Sequence, residues 1–221
     1  MNRRRQWTAI VAAGMLLAAA GASADIVFYD DFESYESDSQ LNWNPPTDSP
    51  WTVSSGTVDL INDDNTWGLD ASSGAGLLDG DSLFLDLDGS TQSGGTLMSV
   101  ALDSLGGVTA TPGPFVDLVD GQRYALDFIM AGNQRSGSDT AVVGVVQSNG
   151  GTETTLDTIT LSSSDPWAIH NASFTFSAGD KIFFENQGGD NVGVLLDNVR
   201  ISAVPEPASV SLVGLGLLGL A

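Results

Sequence analysis

Arg123-Tyr124-Ala125-Leu126-Asp127-Phe128-Ile129-Met130 sets its large side chains Tyr124, Leu126, Phe128 and Met130 at every second position. That is the alternation of a β-strand, whereas a helix would repeat near 3.6. Ser82 to Asp88 keeps the same rhythm, with Leu83, Leu85 and Leu87 against Phe84, Asp86 and Asp88. Working outward, similar β-rich stretches lie at 26–32, 57–61, 96–102, 140–147, 153–161, 172–177, 181–186 and 192–202. Turn formers separate them, among them Asp88-Gly89, Asp120-Gly121, Asn149-Gly150-Gly151 and Gly188-Gly189-Asp190-Asn191. Residues 45–50, with three prolines, and 109–114 read as loops. About ten short strands and no amphipathic helix predict an all-β, antiparallel sandwich of jelly-roll type.

The chain has 221 residues and no cysteine, which removes disulfides and thiolate metal sites. Of its seven strong bases, three are Arg3, Arg4 and Arg5, and only Arg123, Arg135, Lys181 and Arg200 lie beyond residue 24. Against 28 acids this leaves a net charge near −24 there, a surface that repels nucleic acid and anionic headgroups and attracts divalent cations. Most of these carboxylates are expected simply to keep an exported surface soluble.

Both ends read as addresses. Arg3-Arg4-Arg5, the apolar run Trp7 to Ala20 and the small-x-small site Ala22-Ser23-Ala24 make a secretory signal peptide cleaved between Ala24 and Asp25. Val204-Pro205-Glu206-Pro207-Ala208-Ser209, followed by a Gly/Leu-rich run, resembles the PEP-CTERM sorting tail of Gram-negative, mostly biofilm-forming bacteria. The resemblance implies handling by an exosortase and delivery through the periplasm to the cell surface or extracellular matrix. The family pattern continues with a longer apolar span and a basic cluster, and Val210 to Ala221 supplies 12 residues and no base. Crossing a bilayer takes about 20 residues, so the tail as written is expected not to span one. The expected organisation is a signal peptide at 1–24, one β-sandwich domain at 25–203 and a sorting tail at 204–221, since 179 residues suit one core better than two.

Three motifs carry a second resemblance: Phe28-Tyr29-Asp30-Asp31-Phe32-Glu33-Ser34, Leu85-Asp86-Leu87-Asp88-Gly89-Ser90-Thr91 and Leu195-Leu196-Asp197-Asn198-Val199-Arg200-Ile201. In this order they resemble jelly-roll, galactose-binding-like modules of the carbohydrate-binding-module type. That resemblance implies a structural calcium tying the first strand to the last through Glu33 and Asp197, with Asp30 and Asp31 beside them, because a hard cation gathers six to eight oxygens. The residues themselves are odd in this respect: Asp197 shares strand parity with Leu195, Val199 and Ile201, and Asp30 with Phe28 and Phe32, so both carboxylates are expected on a core side where they need partners. Without an ion, Asp197 would accept backbone N–H bonds and Asp30 and Asp31 would lie at a solvated strand end. Asn62-Asp63-Asp64-Asn65 and Asp86-Leu87-Asp88-Gly89 lack the spacing of an EF-hand and read as solvated turns.

Trp43, Trp51, Trp67, Trp167 and Tyr35 offer flat faces that suit sugar rings. Trp43 and Trp67, set among Asn, Asp and Gly, are the expected exposed pair. Catalytic chemistry finds little support. Gly80-Asp81-Ser82-Leu83 spells a serine-esterase block, but the sole histidine, His170, follows Asp165 at the wrong spacing. Among 28 acids a pair for glycoside hydrolysis can always be found, so composition proves nothing. The sequence therefore predicts an exported, non-catalytic surface or exopolysaccharide-matrix protein. A dedicated glycan-binding module is the alternative and a polysaccharide hydrolase the third reading.

Overall fold

β-branched and aromatic residues fill eleven strands of the protein, whose structure is a computed structural model describing residues 25–35, 38–62, 67–71, 83–90, 93–107, 118–148 and 151–205. The strands are β1 (Ile26–Asp30), β2 (Trp51–Ser55), β3 (Asp59–Asn62), β4 (Leu83–Asp86), β5 (Thr96–Ser99), β6 (Arg123–Ala131), β7 (Ser138–Val146), β8 (Glu153–Ser162), β9 (Ala168–Thr175), β10 (Lys181–Asn186) and β11 (Leu195–Ala203). They lie within one unit, Ala24–Val204. The expected signal peptide through Ala24, the expected sorting residues Glu206 and Pro207, the Gly80-Asp81-Ser82 block and the expected loop at 109–114 fall outside the described residues.

Two antiparallel sheets face each other, in the order β3-β4-β11-β6-β9 with β1 also on β11, and β2-β5-β10-β7-β8. The all-β sandwich is as the period-two pattern predicts. β2 is an addition to it, a strand that begins immediately after Pro50 where the proline-rich loop ends.

Alternation explains the core. Leu83 and Leu85 of β4, Tyr124, Leu126, Phe128 and Met130 of β6, and Ile182 and Phe184 of β10 all point between the sheets and are buried. Each such side chain contributes about 1.5–3 kcal/mol of transfer free energy. A smaller cluster lies on the opposite face of the first sheet, where Ile61, Phe84, Ile129, Ala131 and Leu195 are roofed by Leu69, Ala71 and Trp167. The roof is pinned by Gln134, which bonds both the N–H and the carbonyl of Asp70, and by the Trp167 indole N–H, which donates to the same carbonyl.

One irregularity positions the candidate site. β4 pairs with Leu195 and Leu196 at the start of β11, while β1 pairs with Val199 to Ser202, so two strands share one side of β11 end to end. At the seam between them Asn198 has φ of 51°, and the register with β6 shifts between Asp197 and Arg200. Asparagine is among the few residues that take this left-handed conformation readily. The bulge resets the alternation. Leu196 and, beyond the bulge, Val199 and Ile201 enter the main core, whereas Leu195 and Asp197 share the other face, where Asp197 pairs with Ile129. The parity expected from sequence, with Asp197, Val199 and Ile201 on one side, is thus corrected by one extra residue.

Candidate functional site

The seam gathers the acids singled out in the sequence. Asp30, the last residue of β1, faces the core and is 1% exposed. Its carboxylate accepts the Phe32 N–H at 2.8 Å, the Tyr35 hydroxyl at 2.7 Å and the Trp51 indole N–H at 2.7 Å. Burial pushes its pKa up to about 6, against the pull of those three donors. The same burial, with Asp30 next to it, raises Tyr35 above its ordinary value. Asp30 is therefore not a solvated strand end; it anchors the chain leaving β1 to the first residue of β2.

Asp31 Oδ1 accepts the Glu33 N–H at 3.2 Å, and Glu33 Oε1 accepts the N–H of Leu83, the first residue of β4, at 2.6 Å. Glu33 thus stitches the segment after β1 to β4 across the seam. Asp197 is fully buried, and its Oδ1 accepts the Asn198 N–H at 2.6 Å. The Tyr29 hydroxyl donates to Asn198 Oδ1. Topology brings Glu33 and Asp197 to the same seam, but among the described residues no three acidic or histidine side chains are disposed to hold an ion. An ion here would rest on two carboxylates and on main-chain oxygens, a sparse set for a hard cation.

The tryptophans fall differently from expectation. Trp43 is 3% exposed and packs edge-on against Phe32 and Tyr35, with ring centroids 6.4 and 5.0 Å away. Its flanking residues are those of a loop, yet its N–H donates to the Val58 carbonyl at 2.7 Å and draws the side chain into the main core. Trp43 offers no platform. Trp67 is half-buried against the smaller cluster. Trp51 and Trp167 are buried. His170 stacks on Phe128 at 5.7 Å, and burial lowers its pKa.

The outer face of the sheet β2-β5-β10-β7-β8 carries exposed Thr52, Ser55, Thr155 and Thr158 around buried Phe183, Gly144 and Val142. One row across it runs Thr52, Met98, Phe183, Gly144, Thr155, and the next runs Ser55, Thr96, Glu185, Val142, Thr158. Phe183 points outward and is 2% exposed, with its ring against Gly144: a Cβ there would sit 2.6 Å from Phe183 Cζ. Around this floor stand hydroxyls, including the hydrogen-bonded pair Thr140 and Thr160 at 2.8 Å, with Glu185 among them. Sequence reasoning passed over this face, since which Thr and Glu become neighbours depends on strand order.

At the pole where β4 ends and β11 begins, Asp86 and Asp88, read from sequence as a turn, join a buried polar group whose other members that reading passed over. Asp59, Asp86, Asp88, Asn133, Asp139 and Asn186 are all buried there. Asp86 and Asp88 are not the solvated turn expected.

Val204, first residue of the stretch expected to be a sorting motif, donates its N–H to the Arg123 carbonyl at 3.2 Å, and the Ala203 N–H donates to the Asp25 carbonyl at 2.9 Å. Pro205 has no N–H, so the ladder ends there. The chain beyond Asp25 and the chain before Pro205 therefore run side by side.

No protein-family model matches the chain, and no curated protein matches it by sequence. Solved structures do match in fold. The CBM22-1 xylan-binding domain of Paenibacillus barcinonensis Xyn10C superposes with a TM-score of 0.50 at 12% identity, covering 84% of this chain and 98% of that domain. The C-terminal family 22 carbohydrate-binding module of Clostridium thermocellum Xyn10B gives 0.49 at 12% identity, over 82% and 96%. An adhesin domain of the Porphyromonas gingivalis Lys-gingipain gives 0.47 at 14%, over 76% and 98%. The first of these places the architecture among carbohydrate-binding-module sandwiches; at such identity it speaks for fold alone.

Proposed function

We propose that this chain is an exported glycan-binding domain without catalytic activity, serving at the cell surface or in the exopolysaccharide matrix and sorted by its PEP-CTERM-like tail. The observation that carries the reading is the sandwich shared with a xylan-binding domain, together with a sheet face whose exposed margin bears hydroxyls that suit a sugar. Hydroxyls of Thr52, Thr96, Thr155 and Thr158 and the carboxylate of Glu185 match sugar hydroxyls in both donor and acceptor character. Neutral glycan is favoured, because a domain near −24 repels a polyanion unless cations intervene.

Hydrolysis fares less well. The most conspicuous carboxylate pair, Asp59 and Asp86, is 6% and 2% exposed, out of reach of a polymer. We also propose that calcium, where it binds, sits at the seam on Glu33 and Asp197, a reading supported by the bond of Glu33 to Leu83 beside the seam and the burial of Asp197 within it.

The test is co-sedimentation of the mature protein, beginning at Asp25, with matrix polysaccharide purified from its source, alongside a reducing-sugar assay over many hours. Binding without sugar release is the expected result. Release of oligosaccharide would overturn the non-catalytic reading, and no retention on any neutral glycan would overturn the binding one.

A further inference from the structure

Asp59 and Asp86 are paired residues in the antiparallel ladder of β3 and β4. Like charges directly opposite each other on a sheet destabilise it, and here both carboxylates are also buried. Each nonetheless holds a loop. Asp59 Oδ1 accepts the Asn42 N–H at 2.6 Å; Asp86 Oδ1 accepts the N–H of Asp88 at 3.0 Å and of Gly193 at 2.9 Å. Asp88, fully buried, accepts the Gly94 N–H at 2.9 Å through Oδ1, and the main-chain N–H groups of Asp190 and Asn191 also face its carboxylate.

The three loops close so tightly that side chains are excluded. A Cβ on Gly89 would lie 2.6 Å from Asp59 Oδ1, and one on Gly193 2.7 Å from Asp86 Oδ1. These carboxylates are thus the hub on which the chain around Asn42, the residues around Asp88 and Gly94, and the segment before β11 converge. The charged groups facing the hub are Asp190 before β11, Asp139 of β7 and Arg135 between β6 and β7. Among the described residues, one guanidinium against five carboxylates leaves the fully ionised hub uncompensated.

We propose that the facing carboxylates of Asp59 and Asp86, with Asp88 beside them, form a proton-operated clasp that holds these three loops closed when protonated and loosens them when ionised. A protonated carboxyl still presents its carbonyl oxygen to the same N–H groups, so a proton removes the repulsion without removing the bonds. Burial acts in the same direction: it raises all three carboxyls, Asp86 to about 7, so the transition falls near neutrality. Sites for acids at one pole of a sandwich suggest a cation first, but the absence of any three suitably disposed acids among the described residues favours the proton.

The experiment is amide hydrogen exchange on the mature protein at pH 5.5 and 8.0, corrected for intrinsic rates. Protection at Asn42, Asp88, Gly94 and Gly193 is expected to fall about tenfold or more at the higher pH, while the β7 and β10 amides keep theirs. Asp86→Asn, which mimics the protonated acid, is expected to abolish that loss. Should the variant fail to fold, the carboxyl carbon of Asp86 in the unmodified protein, followed by NMR, must titrate near neutrality and shift with Asp59→Asn. Unchanged protection, a loss that survives Asp86→Asn, an ordinary Asp86 titration, or restoration of protection at pH 8.0 by calcium would each overturn the proposal. The readout is protection and not glycan retention, so it stands or falls separately from the proposed function.

Discussion

The Asp30 carboxylate lies 2.7 Å from the Trp51 indole nitrogen, and both side chains are 1% exposed. A carboxylate so enclosed depends on its donors, since a buried polar group that loses its partner carries the full desolvation penalty. Trp51→Phe keeps an aromatic ring beside Phe28 and Phe184 but deletes the donor. It is expected to destabilise the fold by about 1–3 kcal/mol, read as a lower urea midpoint at unchanged slope. Tyr35→Phe removes the second side-chain donor and is expected to act in the same direction.

Stability is expected to fall as pH rises from 5 to 8. Asp30 and Asp86 have folded-state pKa values of about 6 and about 7, above the ordinary 3.8. The folded protein therefore binds more protons than the unfolded chain between those limits, and the slope of stability with pH is negative there. The proton-linked stabilisation is complete below the unfolded value and is lost as pH rises through 6 and 7. It amounts to a few kcal/mol, at about 1.4 kcal/mol per unit. His170, whose pKa is lowered, contributes with the opposite sign, so the decline is expected to steepen in His170→Gln. Urea unfolding at each pH measures it, and a flat or rising profile would contradict both assignments.

What could be read from sequence was whatever depends on a local period. Tyr124, Leu126, Phe128 and Met130 sit in the core as their alternation requires, and Asp30 shares the core side with Phe28. What could not be read depends on register. One left-handed asparagine at 198 turns Asp197 away from Val199 and Ile201, and nothing in Leu195-Leu196-Asp197-Asn198-Val199 marks it beyond the tolerance of asparagine for that conformation. The pairing of Asp59 with Asp86 and the row from Thr96 to Glu185 arise from strands distant in the chain. Trp43 misled because loop-like neighbours describe the backbone, while a single main-chain bond to Val58 decides where the indole goes.

Calcium at the seam is expected to be weak. With Glu33 and Asp197 as the available carboxylates, affinity belongs in the range of about 10⁻⁴ to 10⁻³ M found for extracellular modules. The melting temperature is expected to rise at millimolar calcium and to be unmoved at micromolar, and Asp197→Asn is expected to erase the rise. Indifference at 10-fold above about 10⁻³ M would remove calcium from the seam and leave the stitch of Glu33 to Leu83 in place.

Binding and stability are expected to separate between the two faces of one sheet. Glu185 stands on the outer face next to Thr96 and Val142, half-buried, while its neighbour Phe184 fills the core. Glu185→Ala removes a charged acceptor from the proposed sugar face and is expected to weaken glycan retention about tenfold, the loss of one hydrogen bond to a charged group, with little change in unfolding. Trp43→Ala empties a core site and is expected to cost about 3–5 kcal/mol of stability. Any protein that remains folded should bind glycan as before, because Trp43 is closed to solvent. Gly144→Val would drive a side chain into the Phe183 ring and is expected to damage both properties. Measured by affinity electrophoresis in neutral glycan beside urea unfolding, a Glu185→Ala protein that binds unchanged would remove this face from consideration. Loss of binding in folded Trp43→Ala would instead point to the loop that carries it.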